Sequence, residues 1–185
     1  HEMTRWRQKL HAEPELAFEE RATARFITRQ LQSFGIETHG MAKTGVVGVL
    51  HGKLGSAAQT GGKAIMFRAD MDALPIQECT GVHHASKTPG VHHACGHDGH
   101  MAMLLGAARH LAQTKDFNGT IYFVFQPAEE HIGGAKEMIN EGLFQKFPCD
   151  EVYGLHNYPG LPLGMMATGS GPLLAASDEF HITLK

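Results

Sequence analysis

Histidine is the residue in excess: 14 in a chain of 185, six of them (His83, His84, His92, His93, His97 and His100) within eighteen positions that also hold Cys95. Imidazole and thiolate are the ligands that borderline transition metals take from proteins. These histidines are internal and interleaved with Gly, Cys and Asp, as in HACGHDGH at 93–100, so an appended tag does not explain them. Carboxylates stand elsewhere in short motifs: Asp70 and Asp72 in RADMD, Glu129 and Glu130 in QPAEE, with a further histidine, His156, in HNYPG. One Cys, several His and several carboxylates suit Zn²⁺ or Mn²⁺, whereas Ca²⁺ and Mg²⁺ want oxygen alone. The donors outnumber what one tetrahedral ion can use, which points to two ions sharing a bridging ligand. Adjacent residues leaving a strand point apart, so of Glu129 and Glu130 one can ligate while the other reaches a coordinated water as general base.

Bland readings stand beside these. Cys95 alone reads as a small buried hydrophobe, and Asp70 as the partner of Arg68. His83, His84, His92 and His93 read either as surface loop residues or as partners behind the ligands, and stay off the ligand set. His100, three residues beyond His97, reads as a packing or supporting residue. The methionines read as core filler, and no Gly-x-Ser-x-Gly nucleophile motif occurs.

The elements that must position these groups alternate. Thr4–Leu10 and Glu19–Phe34 carry helical patterns, the second with Ala22, Phe26, Ile27, Leu31 and Phe34 on one face and a stop at Gly35. Gly45–Leu50, Ala64–Arg68, Thr120–Phe125 and Glu151–Leu155 read as strands, with GKLGSAAQTGGK an exposed loop between the first two. Asp98 is expected to cap a helix over Gly99–Gln113 with Met101, Leu104, Leu105, Ala108 and Leu111 along one stripe, and a further helix follows Gly133–Gly134 to about Leu143. This order predicts an α/β fold with helices on both faces of a largely parallel or mixed central sheet. Ligands of open α/β sheets bind beyond the carboxyl ends of the strands, where RADMD, QPAEE and HNYPG all fall. The dipole of the helix after HACGHDGH is expected to favour the Cys95 thiolate.

Composition narrows the class. A net charge of −3 argues against a nucleic-acid or polybasic membrane surface, and 42% hydrophobic residues suffice for a real core. No run suits a membrane-spanning helix, HEMTRWRQKL lacks a secretory apolar region, and Cys79, Cys95 and Cys149 form no disulfide pattern; the expected location is the cytoplasm.

Taken together, HAEPELAFEE near the start, RADMDALPI at 68–76, HACGHDGHMAMLLGAA at 93–108, FQPAEE at 125–130 and GLHNYPGLPLG at 154–164 resemble the bacterial N-acyl-amino-acid amidohydrolases. That group includes hippurate hydrolases and plant indoleacetyl-amino-acid hydrolases, and is related to aminoacylases and carboxypeptidase G. The resemblance implies a di-metal exopeptidase-like catalytic domain with Cys95, His97, Glu130 and His156 as metal ligands, Cys95 bridging two divalent ions (Zn²⁺ or Mn²⁺), Glu129 as general base and Asp72 orienting a metal-site residue. It implies cleavage of the amide of a small N-acyl amino acid, with no nucleic-acid or membrane partner. The family's further ligand histidine and its lid and dimerisation domain do not occur here. Residues 1–174 are therefore expected to be the N-terminal part of the catalytic domain, and 175–185, in which Phe180, Ile182 and Leu184 alternate with polar residues, the first strand of a lid otherwise absent, so that a homodimer would form only in the full-length protein. The alternatives are a metallo-dipeptidase or carboxypeptidase of the same superfamily, a thiol hydrolase using Cys95 and His97, and a non-enzymatic metal-binding domain.

Overall fold

The strongest strand pattern, TIYFVF, lies in a strand buried at every position. The computed structural model describes residues 2–130, 133–173, 180 and 182–184. Its five strands are β1 (Glu37–Met41), β2 (Gly45–His51), β3 (Lys63–Asp70), β4 (Gly119–Gln126) and β5 (Glu151–Gly154), hydrogen-bonded in the order β1-β2-β4-β3-β5. β3 runs parallel to β4 and β5, while β2 runs antiparallel to β1 and β4, so the sheet is mixed. Alternation along β4 builds a core on each face. Ile121, Phe123 and Phe125 pack with Trp6 and Leu10 of α1 (Glu2–Ala12), Ile27 and Leu31 of α2 (Arg21–Ser33), and Met101, Leu104, Leu105 and Ala108 of α4 (His97–Thr114). Tyr122 and Val124 pack on the other face with Met66, with Met138 of α5 (Gly134–Asn140) and Leu143 of α6 (Leu143–Lys146). Each such fully buried aliphatic or aromatic side chain contributes about 1.5–3 kcal/mol of transfer free energy. Among the described residues no helix is long and apolar enough to cross a membrane.

Several expectations need correction. β1 carries the sequence ETHGM and a mostly solvated pattern, which is what a short edge strand against β2 requires and what apolar alternation cannot reveal. Inside GKLGSAAQTGGK lies one helical turn, α3 (Ala57–Thr60), closed by a capping box between Ser56 and Gln59. The expected helix after Gly133–Gly134 divides, because Gly142 adopts φ 88° and starts α6 separately. Asp98 is not a cap: Gly96 is, and Asp98 is buried inside the first turn of α4. Most of the strand expected at 175–185 lies outside the described residues; Phe180, Ile182 and Leu184 are exposed and in no strand.

Candidate metal centre

β3 ends at Asp70, β4 at Gln126 and β5 at Gly154, three parallel strands delivering RADMD, QPAEE and HNYPG to one edge of the sheet. HACGHDGH enters the same edge at the N-terminus of α4. Gly96 is required there: its φ is 88°, and a Cβ would sit 2.4 Å from Asn157 Oδ1.

His97 is the hub. It is wholly buried, its Nδ1–H donates to the Asp72 main-chain carbonyl at 2.8 Å, and its Nε2 is left with no hydrogen-bond partner among the described residues. That Nε2 lies 3.6 Å from Glu130 Oε1, itself buried and unpartnered, 3.6 Å from Asp70 Oδ2 and 3.9 Å from Glu129 Oε2. Cys95 Sγ sits 3.5 Å from His156 Nε2, and the His156 Nδ1–H donates to the Asn157 carbonyl. Both histidines thus turn a lone pair toward the same space. Two overlapping groups could hold cations, Cys95–His97–Glu130 and Asp70–His97–His100–His156. In the second, His100 is already committed: Nδ1–H donates to Asp70 at 2.7 Å and Nε2 accepts the Asn157 N–H at 3.0 Å. Asp70 is held by that bond and by Arg68 at 2.8 Å, so the ion pair read from RAD does form.

The turn carrying Glu129 and Glu130 is clamped from behind. Asp72, 1% exposed, accepts the Glu129 N–H on Oδ1 and the Glu130 N–H on Oδ2, each at 3.0 Å. The preceding amide, Ala128 N–H, is accepted by Glu20 at 2.9 Å, and Glu20 also takes the Thr44 hydroxyl at 2.6 Å. By sequence Glu20 only closes HAEPELAFEE at the start of a helical pattern. It offers no cap hydrogen bond there and is completely buried, 108 residues from the turn it holds, a separation that leaves no local signal. Gly134 closes the turn by donating to the Ala128 carbonyl, so near Pro127 O that a Cβ would stand 1.8 Å away.

The local field is negative. Burial pushes the Cys95 thiol up, and Glu130, Asp70 and Glu129 push it further, to about 12. The thiolate expected from the helix dipole is therefore opposed by burial and by these carboxylates, and Cys95 stands outside α4, before its cap. Burial also raises Glu129, reinforced by Glu130 and Asp70 against the lowering of His97 and Arg68. Burial favours neutral His97, but Asp72, Asp70 and Glu130 win and raise it. Burial would raise Asp70 too, yet His100, Arg68 and His97 hold it down to about 2. Two orphaned buried acceptors, His97 Nε2 and Glu130 Oε1, facing each other within a surplus of carboxylates are the arrangement a divalent cation would satisfy. His92 and His93, read as loop or supporting residues, prove half-buried and fully buried.

The family model of peptidase family M20/M25/M40 matches residues 66–183. The chain belongs to this family. Among curated relatives it is 47% identical over 182 residues to the hippurate hydrolase of Campylobacter jejuni, covering 98% of this chain and 46% of that protein. It is also 47% identical to the N-acyl-L-amino acid amidohydrolase of Geobacillus stearothermophilus, covering 97% of this chain and 47% of that protein. The chain thus spans about half the length of these relatives. Among solved structures, the Bacillus subtilis YXEP protein, described as a dinuclear metal binding peptidase of the M20 family, superposes with a TM-score of 0.81 at 40% identity, covering 88% of this chain and 44% of that one.

Proposed function

We propose that this chain supplies the metal-holding half of an amidohydrolase that cleaves N-acyl amino acids, hippurate-like or N-acetylated. The observation that carries the reading is the pair of buried, unpartnered atoms His97 Nε2 and Glu130 Oε1, 3.6 Å apart beside Cys95, with Glu129 next to them and open to solvent on one side. The names of the curated relatives point to the same substrate class. In this reading Cys95, His97, Glu130 and His156 would hold two divalent ions, Zn²⁺ or Mn²⁺. When bound, such ions polarise a carbonyl and acidify water at neutral pH. Asp72 fixes the amides of Glu129 and Glu130, so that the two side chains diverge, one to hold and one to move a proton. Glu129 takes the proton of the attacking water; the acyl C–N bond breaks as Glu129 returns that proton to the amine, leaving a carboxylate and a free amino acid. Residues 1–174 belong in this reading to the catalytic domain. Residues 175–185 open a second domain that covers the substrate and carries a dimer contact. A thiol hydrolase built on Cys95 is opposed by the carboxylates that keep its thiol protonated.

The test compares Glu129→Gln with Glu130→Gln in the whole enzyme. Glu129→Gln keeps its metal while kcat on hippurate or N-acetyl amino acids falls by roughly two to four powers of ten. Glu130→Gln loses metal. Metal loss in the first variant, or unchanged turnover, refutes the assignment.

A further inference from the structure

A second cluster of metal-ligating side chains lies apart from the groups above. We propose that His11, Glu78 and His92, completed by His84, form a structural zinc site that ties α1 to the long loop between β3 and α4. One ligand atom each of His11, Glu78 and His92 lie within 4.8 Å of one another. Glu78 Oε1 is 3.2 Å from His11 Nε2 and 3.9 Å from His92 Nε2. Ligand atoms bound at about 2.0–2.1 Å to a tetrahedral zinc stand about 3.3 Å apart, so the three need only small adjustments to share one ion. Two imidazoles and a carboxylate are a borderline donor set, which selects zinc over calcium or magnesium.

The groups behind the cluster match such a site. His11 Nδ1 faces Asp98 Oδ2 at 2.8 Å, and Arg7 Nε holds the same oxygen at 2.9 Å. A carboxylate behind the far nitrogen of a histidine fixes its tautomer and leaves the near nitrogen free to ligate. Without an ion, only a doubly protonated His11 could donate to both Asp98 and Glu78. His92 would still stand too far from Glu78 for a hydrogen bond, and the buried Nδ1 of His84 would keep no partner among the described residues. The His84 ring packs edge-on against that of His11, with centroids 5.3 Å apart, which makes it the histidine proposed for the fourth position. The backbone is braced around the cluster: His92 exchanges both main-chain hydrogen bonds with Leu74, Ser86 N–H donates to Glu78 at 2.6 Å, and Lys87 N–H donates to the carbonyl of Ala12 at the end of α1. An ion here would fasten a segment that leads directly into Cys95 and His97 and has little secondary structure of its own.

The probe is Zn²⁺ alone, titrated into the metal-free protein against a competing chelator, with bound zinc counted by mass spectrometry. Wild type binds one equivalent more than His92→Gln, His84→Gln weakens that equivalent at least tenfold, and zinc still blocks alkylation of Cys95 in both variants. Zinc slows proteolytic cleavage between residues 79 and 90 in wild type and not in His92→Gln, a readout that does not depend on turnover. Equal stoichiometry and affinity in wild type and both variants would overturn the proposal, as would loss of the extra equivalent on Cys95→Ser. If Cys95 binds no metal while the His92-dependent equivalent persists, the proposed function fails and this inference stands.

Discussion

Asp72→Asn is the sharpest probe of how the Glu129–Glu130 turn is held. The aspartate is 1% exposed and accepts two main-chain amides, one per oxygen, at 3.0 Å each. Asparagine keeps the shape and one acceptor, but turns an NH₂ toward an N–H that then has nothing to donate to. A hydrogen bond to a charged group is worth about 1.5–3 kcal/mol and an orphaned buried donor costs about 1–3, so the variant should lose about 2–4 kcal/mol. The pH dependence separates charge from shape. Burial works to raise the Asp72 carboxyl, but His97 and the two amides outweigh it and lower it from its ordinary 3.8. A carboxylate whose folded value is depressed contributes stability that is complete above the unfolded value and disappears as pH falls through the folded one. Chemical denaturation of the metal-free protein should therefore show a wild-type advantage that is constant from neutral pH to about 4 and narrows at lower pH, where protonated Asp72 becomes an isostere of Asn. A gap below about 0.5 kcal/mol at neutral pH, or one that does not narrow in acid, would mean that the carboxylate charge does not hold the turn.

Two further outcomes follow from the same geometry. Glu20→Ala strands the Ala128 N–H and the Thr44 hydroxyl in the core and should cost about 2–5 kcal/mol, whereas Glu20→Gln, which can still accept from one and donate to the other, should cost less than half as much; because burial raises Glu20 above its ordinary 4.5, wild type should gain on the Gln variant as pH falls through the folded value, and equal denaturation midpoints for the Ala and Gln variants would sink the argument. Cys95, pushed up to about 12 by burial and the carboxylates, should alkylate far more slowly than exposed Cys79 in the metal-free protein near pH 8, accelerate about tenfold per pH unit, and become inert with zinc; fast labelling of Cys95 that zinc leaves untouched, read by peptide mass spectrometry, would mark it as an ordinary thiol.

What the sequence disclosed and what it hid divide along one physical line. The patterns of β2, β3, β4, α2 and α4 are local and apolar, and each element lies where its periodicity placed it within a few residues. The candidate ligands were legible because their types are unusual and their positions fall at strand ends and a helix start. β1 escaped because an edge strand need not alternate. Asp98 was misplaced because Asp before a helical stripe resembles a cap, while its real partners, Arg7 and His11, lie 91 and 87 residues away. The groups that oppose a Cys95 thiolate are hidden for the same reason: a helix dipole can be read from neighbours in sequence, but the carboxylates that push the thiol up arrive from β3 and β4.

The same distinction explains how the site can be both negative and rigid. Three consecutive amides, Ala128, Glu129 and Glu130, donate to two buried carboxylates that come from opposite directions, Glu20 from the start of α2 and Asp72 from the end of β3. Ala128 takes φ 51°, a left-handed conformation that a non-glycine residue holds only when its surroundings impose it. Those surroundings are the carboxylates, so the strain and the two buried charges support each other. With the backbone fixed, neither Glu129 nor Glu130 needs an ion to hold its place, and repulsion among Glu129, Glu130 and Asp70 is set up in advance of any ligand. A cation entering this edge meets oriented donors whose mutual repulsion it relieves, and the affinity so gained originates in Glu20 and Asp72, each held by main-chain amides on the inner side of the turn.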